Sequence, residues 1–590
     1  MELFREVLKT PTSLLAFGIL LLTVVLACVS GKVTEKRQKG RFLLWCLLPL
    51  IACLIHAAFL FPVGHTSLWM GVAIGDGVKM LYIPNGLDLF GLLYLSAAAA
   101  LLMRLAAGRG WLRRVIAVLL CGAVGYCTVM QVFAQIYNYK CHNMTRLGWT
   151  AAFEQTVETM RREYILSEWK KIDYDALLET YRPKVAAAEA AGDEAAYAAA
   201  LTEYAYDFYD GHVSLNAPQG KRFAIREQLA GNDYGLSLFT VDSGETIAVS
   251  VEEDTPAYRA GIRNGTVIEA WDGVPVQEAA AGVRCAYCGY GMHFPVRENE
   301  DRYRPFFLAG CGGETVTVTF RDASGVQQEA VLESMGSYRM RLGGSIASLR
   351  HDWIEDDNFT VRMLNDTCGY LRIDAEEYHP VPEHLAYLRE GYYPQLTEEV
   401  HTMLTQLQEQ GMQTLVIDLR NNSGGMNVVG AAVASLFTEE KQFQFAEGER
   451  KEGGYEITRS YYVFPDGRWK DLPVVVLVNQ GCCSAGDVAA WFLSRCENVT
   501  LMGITPSNGI NQNNGGECYL PGGLTIRYPV RLSLGEDGRP LIDTDAGREN
   551  RIPLDVVIPV DREAALQIFD PEAWDKDYEL DYAAAYLSDR

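Results

Sequence analysis

Val474-Val-Val-Leu-Val-Asn-Gln-Gly481-Cys-Cys-Ser484-Ala-Gly-Asp487-Val-Ala-Ala-Trp491 decides how the second half of this 590-residue chain folds. A short apolar run ends in polar residues and a glycine, and a helical pattern starts at once, which reads as strand, tight turn and helix. A side chain at such a turn stands at a helix N-terminus, where unpaired amides and the helix dipole stabilise developing negative charge. Ser484 fits there as a helix N-cap or as a nucleophile, and the local sequence supports both equally.

Upstream, Leu415-Val-Ile-Asp418-Leu-Arg420-Asn-Asn-Ser-Gly424-Gly425 repeats the device: an apolar strand ends in two glycines whose amides are free to face an oxyanion. GYLRI, TLVIDLR, PVVVLVN, VTLMGI and LTIRYPV read as strands, with helices at Thr397–Gln410 and Ala485–Cys496 between them. This alternation predicts an α/β core over residues 341–565. The charged, Gly-containing Phe437–Lys470 segment reads as a surface excursion from it, and residues 566–590 as an acidic C-terminal tail. Ahead of the core, residues 223–340 carry β punctuation and residues 141–222 a helical, Ala-rich pattern that stops at Asp210-Gly211-His212.

Residues 1–140 are different in kind. They hold 13 Lys/Arg against 5 Asp/Glu, a balance of +8, while the remainder balances at −31 within the total of −23. Four apolar stretches, Ser13–Gly31, Phe42–Val63, Leu87–Met103 and Val115–Ile136, approach the ~20 residues a membrane-spanning helix needs. Lysines and arginines cluster at 32–41 and 104–114, whereas Gly64–Gly86 carries only Lys79. By the positive-inside rule this predicts a multi-pass cell-membrane protein whose body from about Lys140 lies outside the cytoplasm. The acidic body offers no basic patch for nucleic acid.

Nine of the 14 cysteines fall in the body, where an oxidising compartment would allow some to be disulfide-bonded. Cys285 and Cys288 with His293 and Cys311 have loose zinc-like spacing, and disulfides or reduced thiols are the preferred reading. No metal or cofactor is expected.

Two resemblances sharpen this outline. Asp254-Thr-Pro-Ala-Tyr-Arg-Ala-Gly261-Ile-Arg-Asn-Gly265 resembles the "SPAxxAGLxxGD" element of PDZ domains. That resemblance implies a carboxylate-binding loop at Asn232–Leu238, with the amides of Gly235, Leu236 and Ser237 holding a peptide's C-terminus; a PDZ fold used only as a spacer is the plainer alternative. The Cys- and Gly-rich Ala281–Phe306 looks like an insertion. The segments DLRNNSGG and VNQGCCSAGD resemble "DLRxNPGG" and "VNxGSASASE" of the S41 serine peptidases, the C-terminal processing peptidases and their tricorn-like relatives. Over roughly residues 145–565 the resemblance implies a helical cap, a PDZ-like β-rich domain and a ClpP/crotonase-like α/β peptidase core, which with the transmembrane four-helix region read from hydropathy makes a four-part architecture. It makes Ser484 the nucleophile, with the amides of Ala485 and Gly424 or Gly425 as oxyanion hole.

Processing peptidases activate their serine with a lysine shortly downstream. Here that stretch reads Gly503-Ile-Thr-Pro-Ser-Asn-Gly-Ile-Asn511, and the only lysine beyond Ser484 is Lys576. Another base is required. Asp210-Gly211-His212 matches the "DGH" of the tricorn-like branch and implies His212, whose imidazole titrates near neutrality. That branch orients its histidine with a glutamate near a final "GVxPD" strand through a serine beside the histidine. The corresponding segment here, Arg548–Asp555, makes Glu549 the candidate, with Asp210 as the alternative, and Gly211 replaces the serine. The implied function is a membrane-anchored, extracytoplasmic endopeptidase acting on proteins or peptides, with docking of free C-termini as one mode of recognition. The rivals are a degenerate peptidase fold that binds peptides, a ligand sensor signalling through its membrane part, and a cysteine peptidase using Cys482 or Cys483.

Overall fold

The computed structural model describes residues 69–73, 78–82 and 140–589, apart from 288–292, 353–358, 378–392, 452–453, 544–546 and 574. The chain divides into two compact units, one of residues 1–156 with 515–525, the other of 157–514 with 526–590. In the first, Trp69–Ala73 and Val78–Tyr82 pair as an antiparallel hairpin, and Lys140–Asn143 runs parallel to Gly516–Tyr519.

The expected four-helix transmembrane region is corrected here. Among the described residues no helix is long and apolar enough to cross a membrane. The 18-residue helix Tyr174–Ala191 carries Asp175, Glu179, Arg182, Lys184 and Glu189, so its length comes without the apolar surface a span requires. The four apolar stretches lie outside the described residues. The multi-pass topology and extracytoplasmic placement rested on those stretches and are withdrawn with them. Hydropathy and loop charge are averages along the chain and carry no pairing information, and part of Gly64–Gly86, expected as a plain outer loop, is the hairpin.

The second unit opens with helices continuing from Trp149–Glu163: α1 (Tyr174–Ala191), α2 (Glu194–Tyr206) and α3 (Gln219–Ala230). Asp173 and Asp193 cap the first two by accepting from amides of their first turns. A β-rich stretch follows: β1 (Ser237–Thr240), β2 (Thr246–Val249), β3 (Ile268–Trp271), β4 (Val274–Pro275), helix α4 (Arg297–Leu308), β5 (Thr315–Arg321) and β6 (Gln327–Glu333). β1 and β2 form an antiparallel pair, and the sheet order of the rest is β6-β5-β3-β4. Helix α5 (Arg339–Arg350) leads into the core.

The core is a six-stranded sheet. It is built from β7 (Phe359–Met363), β8 (Cys368–Ile373), helix α6 (Pro394–Glu409), β9 (Thr414–Asp418) and helix α7 (Val428–Ser435). The long hairpin β10 (Gln442–Lys451) and β11 (Gly454–Val463) follows, then β12 (Val474–Leu477), helix α8 (Ala485–Leu493) and β13 (Val499–Gly503). After β14 (Leu524–Leu534), which pairs with β10, come β15 (Val556–Val557) and the last helix, α9 (Tyr578–Ser588). The strand order is β7-β8-β9-β12-β13-β15, parallel except for β7. Both faces are covered, which is why these strands read as unbroken apolar runs. Leu415, Ile417, Val474 and Val476 turn to a core shared with α6, α7 and α8; Val416, Val475 and Leu477 turn to the other, with α5 and α9.

The 566–590 segment is also corrected. Rather than a tail, it ends in α9, whose Leu580, Ala583 and Leu587 are buried. Arg420, fully buried, donates to Asp418, Asp577 and Glu579 and clamps this helix behind the core strands. Four-residue spacing of Tyr578, Tyr582 and Tyr586 with Leu580, Ala583 and Leu587 carries the helical pattern that net acidity hides.

Candidate active site

The turn after β12 carries Ser484 at φ 59, ψ −121, with α8 starting at the next residue. A side-chain-bearing residue at positive φ is strained and persists where the surroundings impose it. Two contacts do so. The Ser484 amide donates to Asp487 Oδ2 at 3.1 Å, and Val488 N closes the first helical bond on the Ser484 carbonyl at 3.1 Å. Ser484 remains partly exposed while Cys482 and Ala485 are buried.

The second strand–turn element lies against the first. Gly424 (φ 85) and Gly425 (φ 146) follow β9, and a Cβ on Gly424 would stand 2.7 Å from Ser484 Cβ and 2.9 Å from the Ala485 nitrogen. Neither the angle nor the space admits a larger residue. The Gly424 amide is spent on Asn422 Oδ1 (2.9 Å), so it leaves the expected oxyanion set. Among the described residues the Gly425 and Ala485 amides make no hydrogen bond. Glu376 holds this loop from below: its amide donates to Gly424 O (3.0 Å), and its carbonyl accepts from Met426 N (2.6 Å). Its carboxylate accepts from Gly430 N (2.7 Å) and Asn422 Nδ2 (3.1 Å). Burial pushes the Glu376 carboxyl up to about 8 against those two bonds.

His212 reaches the same neighbourhood through the segment where processing peptidases carry lysine. Asp487, fully buried, accepts from Gly509 N (2.9 Å) and Ile510 N (3.1 Å) as well as from Ser484 N. Burial raises its carboxyl to about 7, opposed by these donors and Ser507. Asn508 N donates to Cys482 O (2.8 Å). On the other side, a Cβ at Gly211 would fall 2.6 Å from both Asn508 Oδ1 and Ile510 Cδ1. One short segment, Ser507–Ile510, therefore touches the residue under the nucleophile and the residue beside the histidine. It also explains Gly211: a serine there would need the segment to move.

Asp210 fixes the histidine loop, accepting from His212 N (2.8 Å) and Tyr164 Oη (2.7 Å) with no exposed surface. His212 Nδ1 is covered and bonds no described residue. Burial lowers the His212 pKa, with Asp210 pulling the other way, which favours the neutral imidazole that accepts a proton.

Glu549 is exposed. Its neighbour Arg548, at φ 60, turns inward instead, donating to Glu300 and Phe294 O (both 2.5 Å). The buried acid of that stretch is Asp543, whose Oδ1 lies 2.6 Å from Lys170 Nζ. Burial pushes Asp543 up to about 7, Lys170 opposes, and Asp210 adds to the rise, so the two aspartates share one region. A lone acid in the apolar run Pro540-Leu-Ile-Asp543 was the available signal. His293, assigned by sequence to an insertion apart from the site, is buried beside it. Its carbonyl accepts from Gln480 Nε2 (3.0 Å) and Asn508 Nδ2 (3.3 Å). Burial takes its imidazole down to about 4, Asp210 opposing and His212 adding.

Of the described thiols, Cys285, Cys311, Cys368, Cys482 and Cys496 are reduced, the second of the two readings left open for the body's cysteines. Burial holds the Cys482 thiol well above its usual range, the opposite of a reactive thiolate. Among the described residues no cluster of His, Cys, Asp or Glu could hold a metal. Lys576, the downstream lysine, is exposed, and Lys170 is committed to Asp543 and Tyr209 O.

Residues 367–553 match the model of Peptidase family S41, and residues 146–194 that of the Tricorn protease C1 domain. The chain is 35% identical over 106 residues to the carboxyl-terminal-processing protease of Synechocystis sp., covering 18% of this chain and 23% of that one. It is 30% identical over 200 residues to the carboxy-terminal processing protease CtpA of Bacillus subtilis, covering 34% and 38%. Mature CPAF complexed with lactacystin aligns with 74% of this chain and 98% of its own at 14% identity and a TM-score of 0.45. The chain spans 23% to 40% of the length of the first three curated relatives it matches. Residues 367–553, which hold the Gly424–Gly425 loop and the Ser484 turn, are thus the part of the chain that is similar to Peptidase family S41.

Proposed function

We propose that the chain is a serine endopeptidase that hydrolyses peptide bonds of proteins or peptides through an acyl-enzyme at Ser484. The Ser484 hydroxyl attacks the substrate carbonyl while the His212 imidazole takes its proton. The amides of Gly425 and Ala485 hold the oxyanion. His212 returns the proton to the leaving amine as the C–N bond breaks, and then activates the water that hydrolyses the ester. Asp210 fixes the loop of the base, and its carboxylate favours the transient imidazolium. This route uses no metal or cofactor.

The observation that supports this reading is the packing of Gly424 on a strained Ser484 at the start of α8, near two amides that bond no other group among the described residues. The turn at Asp254–Gly265 and the strand order of residues 223–340 support a PDZ-like architecture for that region.

A fluorophosphonate probe should label the wild-type chain, fail on Ser484→Ala, and react with His212→Ala slower by about 10³-fold or more. An inert wild type, or a Ser484→Ala variant that labels equally, would sink the proposal.

A further inference from the structure

The loop where a docking chain terminus would set its carboxylate has its Gly235 amide already taken, and its Leu236 and Ser237 are fully buried. Asp233 Oδ1 accepts from the Gly235 amide (2.8 Å) and from Arg341 Nε (2.9 Å). A carboxylate on a glycine amide beside a guanidinium is the arrangement a bound C-terminus makes, here supplied from within. The loop backbone is committed too: Asn232 N donates to Gly310 O (2.9 Å), Asp233 N to Gly336 O (2.7 Å), and Met335 N to Asp233 O (2.7 Å). Arg341, its side chain 5% exposed, is held in turn by Ser250 O (2.5 Å).

The strand that would receive an added peptide is closed as well. Ser237, Leu238 and Phe239 have no exposed surface, and Ser237 Oγ lies 2.7 Å from Tyr338 Oη. Arg302 on α4 donates to Thr240 O (3.2 Å). Beyond it, Asp242 N donates to Val560 O (3.0 Å) and Val560 N to Asp242 Oδ2 (2.7 Å). Phe239, Phe306 and Phe569 pack together with ring centroids 5.9, 5.1 and 5.7 Å apart. The chain's own Val560–Phe569 segment thus lies at the end of β1, where a docked strand would continue.

We infer that the protein does not read the C-terminal carboxylate of its substrate and selects polypeptides by internal segments. This rests on the peptidase reading for cleavage, but not for binding. A short apolar peptide ending in valine, prepared as free acid and as C-terminal amide, separates the two. Titrated by fluorescence anisotropy against the full Ser484→Ala chain, the two forms should bind equally or neither should saturate. A free acid bound roughly tenfold tighter or more, the strength of a charge-assisted cradle, overturns the inference. With the wild type, the ratio of kcat/KM for the two forms should stay within about twofold. If neither form is cleaved the peptidase proposal suffers, while the binding titration still decides this one. Asp233→Ala empties the cradle, so a preference for the free acid of roughly tenfold should then appear. Its failure to appear, in a variant whose Tm matches the wild type, overturns the role given to Asp233.

Discussion

The loops Asn421–Gly425 and Asn232–Ser237 are built from the same parts. Each uses glycine at positive φ, Gly424 and Gly425 in one and Gly235 in the other, and each lies close to a buried arginine, Arg420 or Arg341. They differ in what their amides meet. Gly235 N is taken by the carboxylate of Asp233, whereas Gly425 N, with Ala485 N beside it, is left unpaired among the described residues. A folded chain seldom leaves backbone donors unmade, because an unpaired buried donor costs stability. An open pair near a strained serine is what the proposed oxyanion hole requires, and an occupied loop amide is not.

The arginines offer the largest contrast. Arg420→Met leaves Asp418, Asp577 and Glu579 buried without their cation and should cost about 3–5 kcal/mol in urea unfolding. Arg341→Met should cost less, about 1–3 kcal/mol, because its partners Asp233 and Glu252 keep 14% and 73% of their side chains exposed. Equal losses would break the distinction.

The glycines come next. Gly424→Ala pushes the loop off Ser484 and should lower kcat/KM about 10²-fold or more, with a smaller change in Tm. Gly235→Ala collides with the Thr255 side chain and should destabilise by about 1–3 kcal/mol, while the remaining folded protein keeps its kcat. A loss of kcat in Gly235→Ala would show that this loop also serves the chemistry.

The smallest effect sharpens the open side. Glu376, beneath the oxyanion loop, has its pKa raised from 4.5 to about 8. The folded chain therefore holds a proton that the unfolded chain releases across that window, so the stability it contributes is full below 4.5 and lost as pH rises through 8. Glu376→Gln stays neutral throughout. Between pH 5 and 8 it should lose less stability than the wild type, by about 0.7 kcal/mol even if only one pKa unit is credited. Parallel urea midpoints for both proteins across that range would count against this assignment.

How far the sequence could be read follows the range of the interaction. The core strands and the Ser484 and Gly424 turns were legible because apolar runs and glycine stops are local properties. The long hairpin β10–β11 was not, since its charged strands with their register shifts lack clean alternation. The motif pointed to Glu549 and did not bring Asp543 into view, because a motif supplies position along the chain, not burial. His293 was set apart because the contacts that place it reach Gln480 and Asn508, about two hundred residues away. The membrane expectation has no counterpart among the described residues, and the four stretches on which it rested lie outside them.

By itself the sequence determined the α/β core, the two strand–glycine turns, and the absence of any lysine near the nucleophile's downstream strand. Those depend on periodicity, backbone sterics and composition, which neighbours along the chain settle among themselves. Only the tertiary structure decided which amides stay open, which carboxylates are buried, and that Ser507–Ile510 joins the serine turn to the histidine loop. Each of these is a matter of desolvation and hydrogen-bond competition between residues distant in sequence, and neither can be evaluated until the chain has folded.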